Sequence, residues 1–190
     1  MSWNLAYQAR FAKPLVNQVI ALVQRDQSSA LTVINAARGT EGNPPLCPIT
    51  EFHKGPGDAR GWPWLYLGIG PTTFNRSSDK AVRESEVRIT LALDVGQYDQ
   101  EMAQQDAQDY ARLLDMIITS AGPWPSLADW TATLAIQHET VPHGVTTPPA
   151  AGTVNDVFVE SHIPSQVSVH GGESPIMRIS LTVLFELEEV

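Results

Sequence analysis

His138, Glu139 and His143 come closest to a chemical motif by type and spacing. Two imidazoles beside a carboxylate match the ligand chemistry of a divalent metal, which would activate a water for hydrolysis. A helical metal site repeats its histidines on one face, as in His-Glu-x-x-His, and that pattern is absent. Pro142 interrupts the stretch, which reads as a solvated loop. Asp106 and Asp109 lie three apart on a helical pattern, so they share a face. Paired carboxylates act as general acid and base when they are buried together. Their neighbours Gln104, Gln105 and Gln108 mark a solvated face instead.

Other chemistry is excluded by what is missing. Cys47 is the only cysteine, so no intrachain disulfide and no Cys-x-x-Cys metal ribbon can form. It sits in Leu46-Cys47-Pro48-Ile49 and reads as a small buried hydrophobe. Gly55-Pro56-Gly57 is a turn, because Pro56 removes a backbone donor that a phosphate cradle needs. There is no Gly-x-Ser-x-Gly elbow. The residues therefore assign no catalytic group, no cofactor and no metal ligand. Trp62, Trp64 and Trp124 leave two openings, core packing or an exposed surface that binds a sugar, a peptide or a neighbouring subunit.

Charge is the strongest compositional signal. The chain has 190 residues, 12 Lys and Arg against 21 Asp and Glu, and a net charge of -9. That balance argues against general binding of DNA or RNA, which needs clustered cations. The charge is also uneven. Residues 1–95 carry 10 basic and 8 acidic side chains, while residues 96–190 carry 2 basic and 13 acidic ones. Such an imbalance governs how surfaces meet rather than what reaction occurs. The longest apolar runs fall far below a membrane span, and the first residues lack the pattern of a secretory signal.

The elements that position these residues follow from periodicity. Pro14 and the 3–4 spacing of Leu15, Val16, Val19, Ile20 and Val23 predict a helix over residues 14–25. Asp26, Ser28 or Ser29 would cap a second short helix ending before Gly39, making a helical hairpin. Residues 47–54 predict a first strand and 64–69 a second, stopped by Gly70-Pro71. Val87, Ile89, Leu91, Leu93 and Val95 alternate with polar residues in the clearest strand. Asp99 would cap a helix to about Ser120, with Tyr110, Leu113, Leu114, Ile117 and Ile118 as its apolar stripe. Residues 133–140 and 154–163 read as strands, and residues 176–187 as a closing strand of strict alternation. The expected fold is α+β in a single domain over 1–190. It has a mostly antiparallel sheet, an N-terminal helical segment, one long helix on the sheet and long loops at 71–84, 141–153 and 164–175. Long loops and edge strands would allow strand addition between copies.

This order of pieces resembles the tail terminator, tail-completion and neck proteins of long-tailed bacteriophages. The resemblance rests on the apolar opening helix (Leu15 to Val23) and on the strand Val87 to Val95 running into a helix with Tyr110-Ala111-Arg112-Leu113-Leu114. The closing strand Met177-Arg178-Ile179-Ser180-Leu181-Thr182-Val183 completes it. It implies a non-enzymatic virion protein, assembled in the host cytoplasm, that forms a hexameric ring on the tail tube. The ring would contact the tube protein and the neck connector and let DNA pass through its lumen without specific binding. It has no cofactor and no membrane partner. A closed ring needs two unlike patches on each subunit. Charge placement nominates Arg76, Lys80 and Arg83 against Asp99, Glu101 and Asp106 as subunit-interface candidates. Two readings of other classes stand beside it, a metal enzyme on the His138/Glu139/His143 loop and a ligand-binding module on the tryptophans.

Overall fold

The computed structural model describes residues 12–54, 63–76, 83–96, 100–119, 152–167 and 176–189. In chain order these form α1 (Ala12–Thr40), β1 (Glu51–His53), β2 (Trp64–Arg76), β3 (Arg83–Gly96), α2 (Gln100–Ile118), β4 (Gly152–Val167) and β5 (Ile176–Glu189). Among the described residues the five strands make one sheet in the order β1-β2-β3-β5-β4. Only the β1–β2 pairing is parallel; the other three are antiparallel. The α+β architecture expected from the sequence is therefore present.

Period-two alternation decides which way each strand faces. Leu91 of β3 pairs with Leu67 of β2 and Leu181 of β5, and all three are buried. Ile89, Leu93, Ile179, Val183 and Phe185 continue this row. Both helices cover that face, and their stripes join the same core through Leu15, Val19, Val23, Leu113, Leu114 and Ile117. Full burial of each such aliphatic or aromatic side chain contributes about 1.5–3 kcal/mol. The opposite face carries Trp64, Asp94, Ala92 and Leu184, which are buried outside that core cluster.

The predicted helical hairpin is one continuous helix of 29 residues. Asp26, Ser28 and Ser29 lie inside it and cap nothing. The apolar stripe runs unbroken through Leu22, Val23, Ala30, Leu31 and Ile34, so packing overrides the local capping preference. The helix ends where glycine permits it. Gly42 takes φ 78°, Asn43 N–H donates to the Arg38 carbonyl at 2.9 Å, and Gly42 N–H donates to that of Gly39 at 3.3 Å. These are the paired bonds of a left-handed C-terminal cap.

The first predicted strand shrinks to Glu51–His53. Residues 43–50 instead run as an extended strap held by side chains. Gln27 and Ile49 exchange two hydrogen bonds at 3.1 and 2.8 Å, and Asn35 and Leu46 exchange two at the same distances. Arg38 Nε donates to the Pro44 carbonyl, and the Tyr110 hydroxyl donates to that of Cys47. Cys47 itself is exposed, contrary to the expected burial, because Leu46 and Ile49 take the inward positions.

Gly70-Pro71 does not stop β2. The register shifts between Ile69 and Thr72, and pairing resumes as far as Arg76↔Arg83. The bulge absorbs the proline, which has no N–H to offer the ladder. A Cβ on Gly70 would sit 3.0 Å from the Arg88 carbonyl oxygen, so glycine is needed there. The expected loop 71–84 thus contracts, and residues 77–82 lie outside the described residues. Likewise β4 claims Gly152 and Thr153 from one expected loop and 164–167 from another. The expected strand at 133–140 lies outside the described residues.

Candidate functional site

The charged side chains sort by what they touch. Arg38 projects from the last turn of α1 into the gap beside α2. Its side chain is 3% exposed, and it donates to Asp106 Oδ1 at 2.5 Å and also to Asp109. Burial opposes the guanidinium charge, but the bonds to Asp109 and Asp106 outweigh it and hold the pKa above the ordinary arginine value. The solvated face expected for Asp106 and Asp109 is thus corrected. Asp106 is buried, and Asp109 is largely covered on the same arginine. Asp106 therefore faces an internal cation rather than the surface. Nothing in local sequence shows this, because Arg38 and Asp106 lie 68 positions apart.

Two further pairs cross the other face of the sheet. Arg178 binds Asp94 through two bonds of 2.6 Å, and these bonds are the main reason its pKa is raised. Arg88 reaches from β3 over β5 to Glu160 at 3.0 Å and also touches Glu86. Its pKa is raised, first by the bond to Glu160. Among the described residues these pairs neutralise themselves and form no basic groove on this face.

The interface candidates fall into different places. Arg76 and Arg83 are direct cross-strand partners at the end of the β2–β3 hairpin. On the other side of β3, Arg83 faces Glu189 in register. Glu101 is exposed in the first turn of α2. Lys80 and Asp99 lie outside the described residues. The structure brings the two arginines to one end of the sheet and does not bring them to the acidic helix start.

The candidates for chemistry scatter as well. His53 on β1 packs edge-on against Trp64, with ring centroids 5.1 Å apart. Trp64 is buried on the sheet face away from the core cluster, while Trp62 and Trp124 lie outside the described residues. So do His138, Glu139 and His143. Among the described residues no group of three or more His, Cys, Asp or Glu could hold a metal ion. No helix among them is long and apolar enough to cross a membrane.

One concave feature stands out. A cleft of about 310 Å³ lies between α2 and the inner face of β4 and β5, lined by Gln108, Ala111, Arg112, Asp115, Val159 and Leu181. Gln108, Ala111, Arg112 and Asp115 form one stripe of α2 at spacings of three, one and three. Val159 and Leu181 make an apolar floor. Sequence reasoning gave Arg112 no role of its own. The available signal was that it is one of only 2 basic residues after position 95, the other being Arg178.

No protein-family model and no curated protein matches the chain. Among solved structures it aligns with a chain of the virion of a native gene transfer agent particle, at 14% identity and a TM-score of 0.48. That alignment covers 98% of this chain and 99% of the other.

Proposed function

We propose that the protein is a structural component of a phage-like virion, a tail terminator that caps the head-proximal end of a tail tube as a ring. The observation that carries this reading is the element order. An apolar opening helix, a strand leading directly into a second helix, and a closing strand of strict alternation are the pieces on which the resemblance rests. The fold realises them as α1, β3–α2 and β5, with both helices on one sheet face. Another neck or head–tail joining protein is the nearest alternative within the same class.

In this reading the work is surface complementarity and the protein catalyses nothing. Copies meet head to tail and close a hexameric ring, and each subunit offers two unlike patches. Arg76 and Arg83 at the end of the β2–β3 hairpin, with Lys80 between them in sequence, supply the basic side chains of one patch, beside Glu189 in register with Arg83. Asp99 and Glu101 supply an acidic one, and Asp106 is withdrawn because it lies buried on Arg38. The acidic second half lines a lumen that DNA crosses without sticking. The partners are the tube protein and the neck connector, and the place of residence is the virion.

Negative-stain imaging of the purified protein, alone and with isolated tail tubes, tests the reading. Rings with a central hole, or caps at one tube end, are expected. Bare tubes with only dispersed monomers beside them would sink it. Arg83→Glu should weaken the ring, more so at low salt than at high salt.

A further inference from the structure

Glu86 and Arg88 stand on the face of β3 turned away from both helices, and β5 and β4 continue that face in register. Glu84 is opposite Glu188. Glu86 is opposite Glu186, whose neighbour on the other side is Asp156. Acidic residues therefore hold adjacent positions across three strands at one end of the sheet. Like charges directly opposite one another weaken a strand pair. Among the described residues the cation on this part of the face is Arg88. It donates to Glu86 at 3.2 Å. It also crosses Leu184 of β5 to reach Glu160, with bonds of 3.0 Å from both Nε and Nη2.

The edge strand β4 has two unlike halves. Over residues 152–159 the register shifts between Val154 and Asp156, and it shifts again after Val159, where Glu160 is the extra residue. Each bulge interrupts the ladder. Of this half, Val157 joins the core and Val159 packs against it. Residues 161–167 pair with β5 without a shift. Their register partners on the outer face are Thr182, Ser180 and Arg178, so no acidic residue of β5 opposes them. Pro164 is tolerated in this half because β4 lies at the edge.

We propose that residues 152–159 form a charge-controlled arm. Arg88 holds the arm through Glu160, and the acidic rows push it away. The arm lifts from β5 while residues 161–167 and the rest of the sheet stay paired. Lifting bares the edge of β5 from Val183 to Glu189, which the arm otherwise covers. The balance between one arginine and the facing carboxylates sets how often that edge is open.

The device stands apart from the question of whether copies form a ring. Hydrogen exchange of the full chain under native conditions, read by mass spectrometry, tests it. In wild type the arm should exchange faster than residues 161–167 and faster than β3. Glu186→Gln removes the charge opposite both Glu86 and Asp156 and should slow exchange of the arm about fivefold. Arg88→Gln removes the tie and should quicken it about fivefold. Glu41→Gln makes the same change of charge just past the end of α1 and should leave the arm as in wild type. Exchange of β3 should be unaltered in Glu186→Gln and Arg88→Gln, which separates lifting of the arm from global unfolding. Wild-type exchange of the arm in both variants overturns the device. So does an arm that exchanges in step with β3 in wild type. If Arg88→Gln does not fold, Glu186→Gln alone decides, and an arm it does not slow overturns the device.

Discussion

Arg38 of α1 and Asp106 of α2 form a buried ion pair, with Nη2 and Oδ1 2.5 Å apart and side chains 3% and 5% exposed. Asp109 shares the same guanidinium, and the Pro44 carbonyl takes Nε. One arginine therefore ties two helices and the strap together. A buried pair gives little net stability against an apolar replacement, yet breaking it strands a charge.

Arg38→Met should accordingly destabilise the fold by about 3–5 kcal/mol, because it leaves two carboxylates facing a gap without their cation. Urea unfolding followed by circular dichroism measures this. The double variant Arg38→Met/Asp106→Leu should lose less than the sum of the single changes. Strict additivity would show that the pair is not coupled.

The strap depends on two side-chain amides that each satisfy both backbone groups of one residue. Asn35→Ala should cost about 1–3 kcal/mol by orphaning the Leu46 amide and carbonyl, and Gln27→Ala should do the same at Ile49. Hydrogen exchange should quicken at Leu46 in the first variant and at Ile49 in the second. The Leu91 amide in the middle of the sheet should keep its protection. Uniform loss of protection would mean that the strap is not a local unit.

Tyr110 carries an alkaline signature. Burial pushes its phenol pKa well up from the ordinary 10.0, with the nearby charge of Asp106 adding to the effect. The folded pKa lies above the unfolded one, so the fold favours the neutral phenol. That contribution is complete below pH 10.0 and is lost as the pH rises beyond it. Tyr110→Phe should cost about 1 kcal/mol near neutral pH, through the bond to the Cys47 carbonyl, and should flatten the decline in stability above pH 10.0. An equally steep decline in the Phe variant would place the alkaline sensitivity elsewhere.

Gly70→Val should destabilise by about 1–3 kcal/mol, since its Cβ meets the Arg88 backbone across the hairpin. Gly39→Ala, where a Cβ meets nothing within 4 Å, is the matched control and should be neutral or better. Thermal melts compare the two, and equal melting temperatures would remove the steric account of the bulge.

Alternation in β3 and β5 was readable directly, because a buried sheet face leaves its period in the chain itself. The same holds for the stripe from Tyr110 to Ile118, which lies on the core exactly as its spacing demands. The break expected at Asp26–Ser29 was misread, since polar residues on the outer side of a long helix look like caps when the packing beneath them is unknown. Gly70-Pro71 misled for a related reason, because a bulge and a strand end use the same residues. At the candidate site, the acidic content of α2 was visible, but the difference between Asp106 and Glu101 was not.

The sequence by itself determined the α+β class, the inward face of each main strand and the lopsided charge. These are local or summed properties, fixed by periodicity and composition. Only the tertiary structure decided which charges are free. Arg38, Asp106, Asp94 and Arg178 found partners 68 and 84 positions away. Pairing over such distances depends on how helices and strands pack in space, which no local pattern encodes.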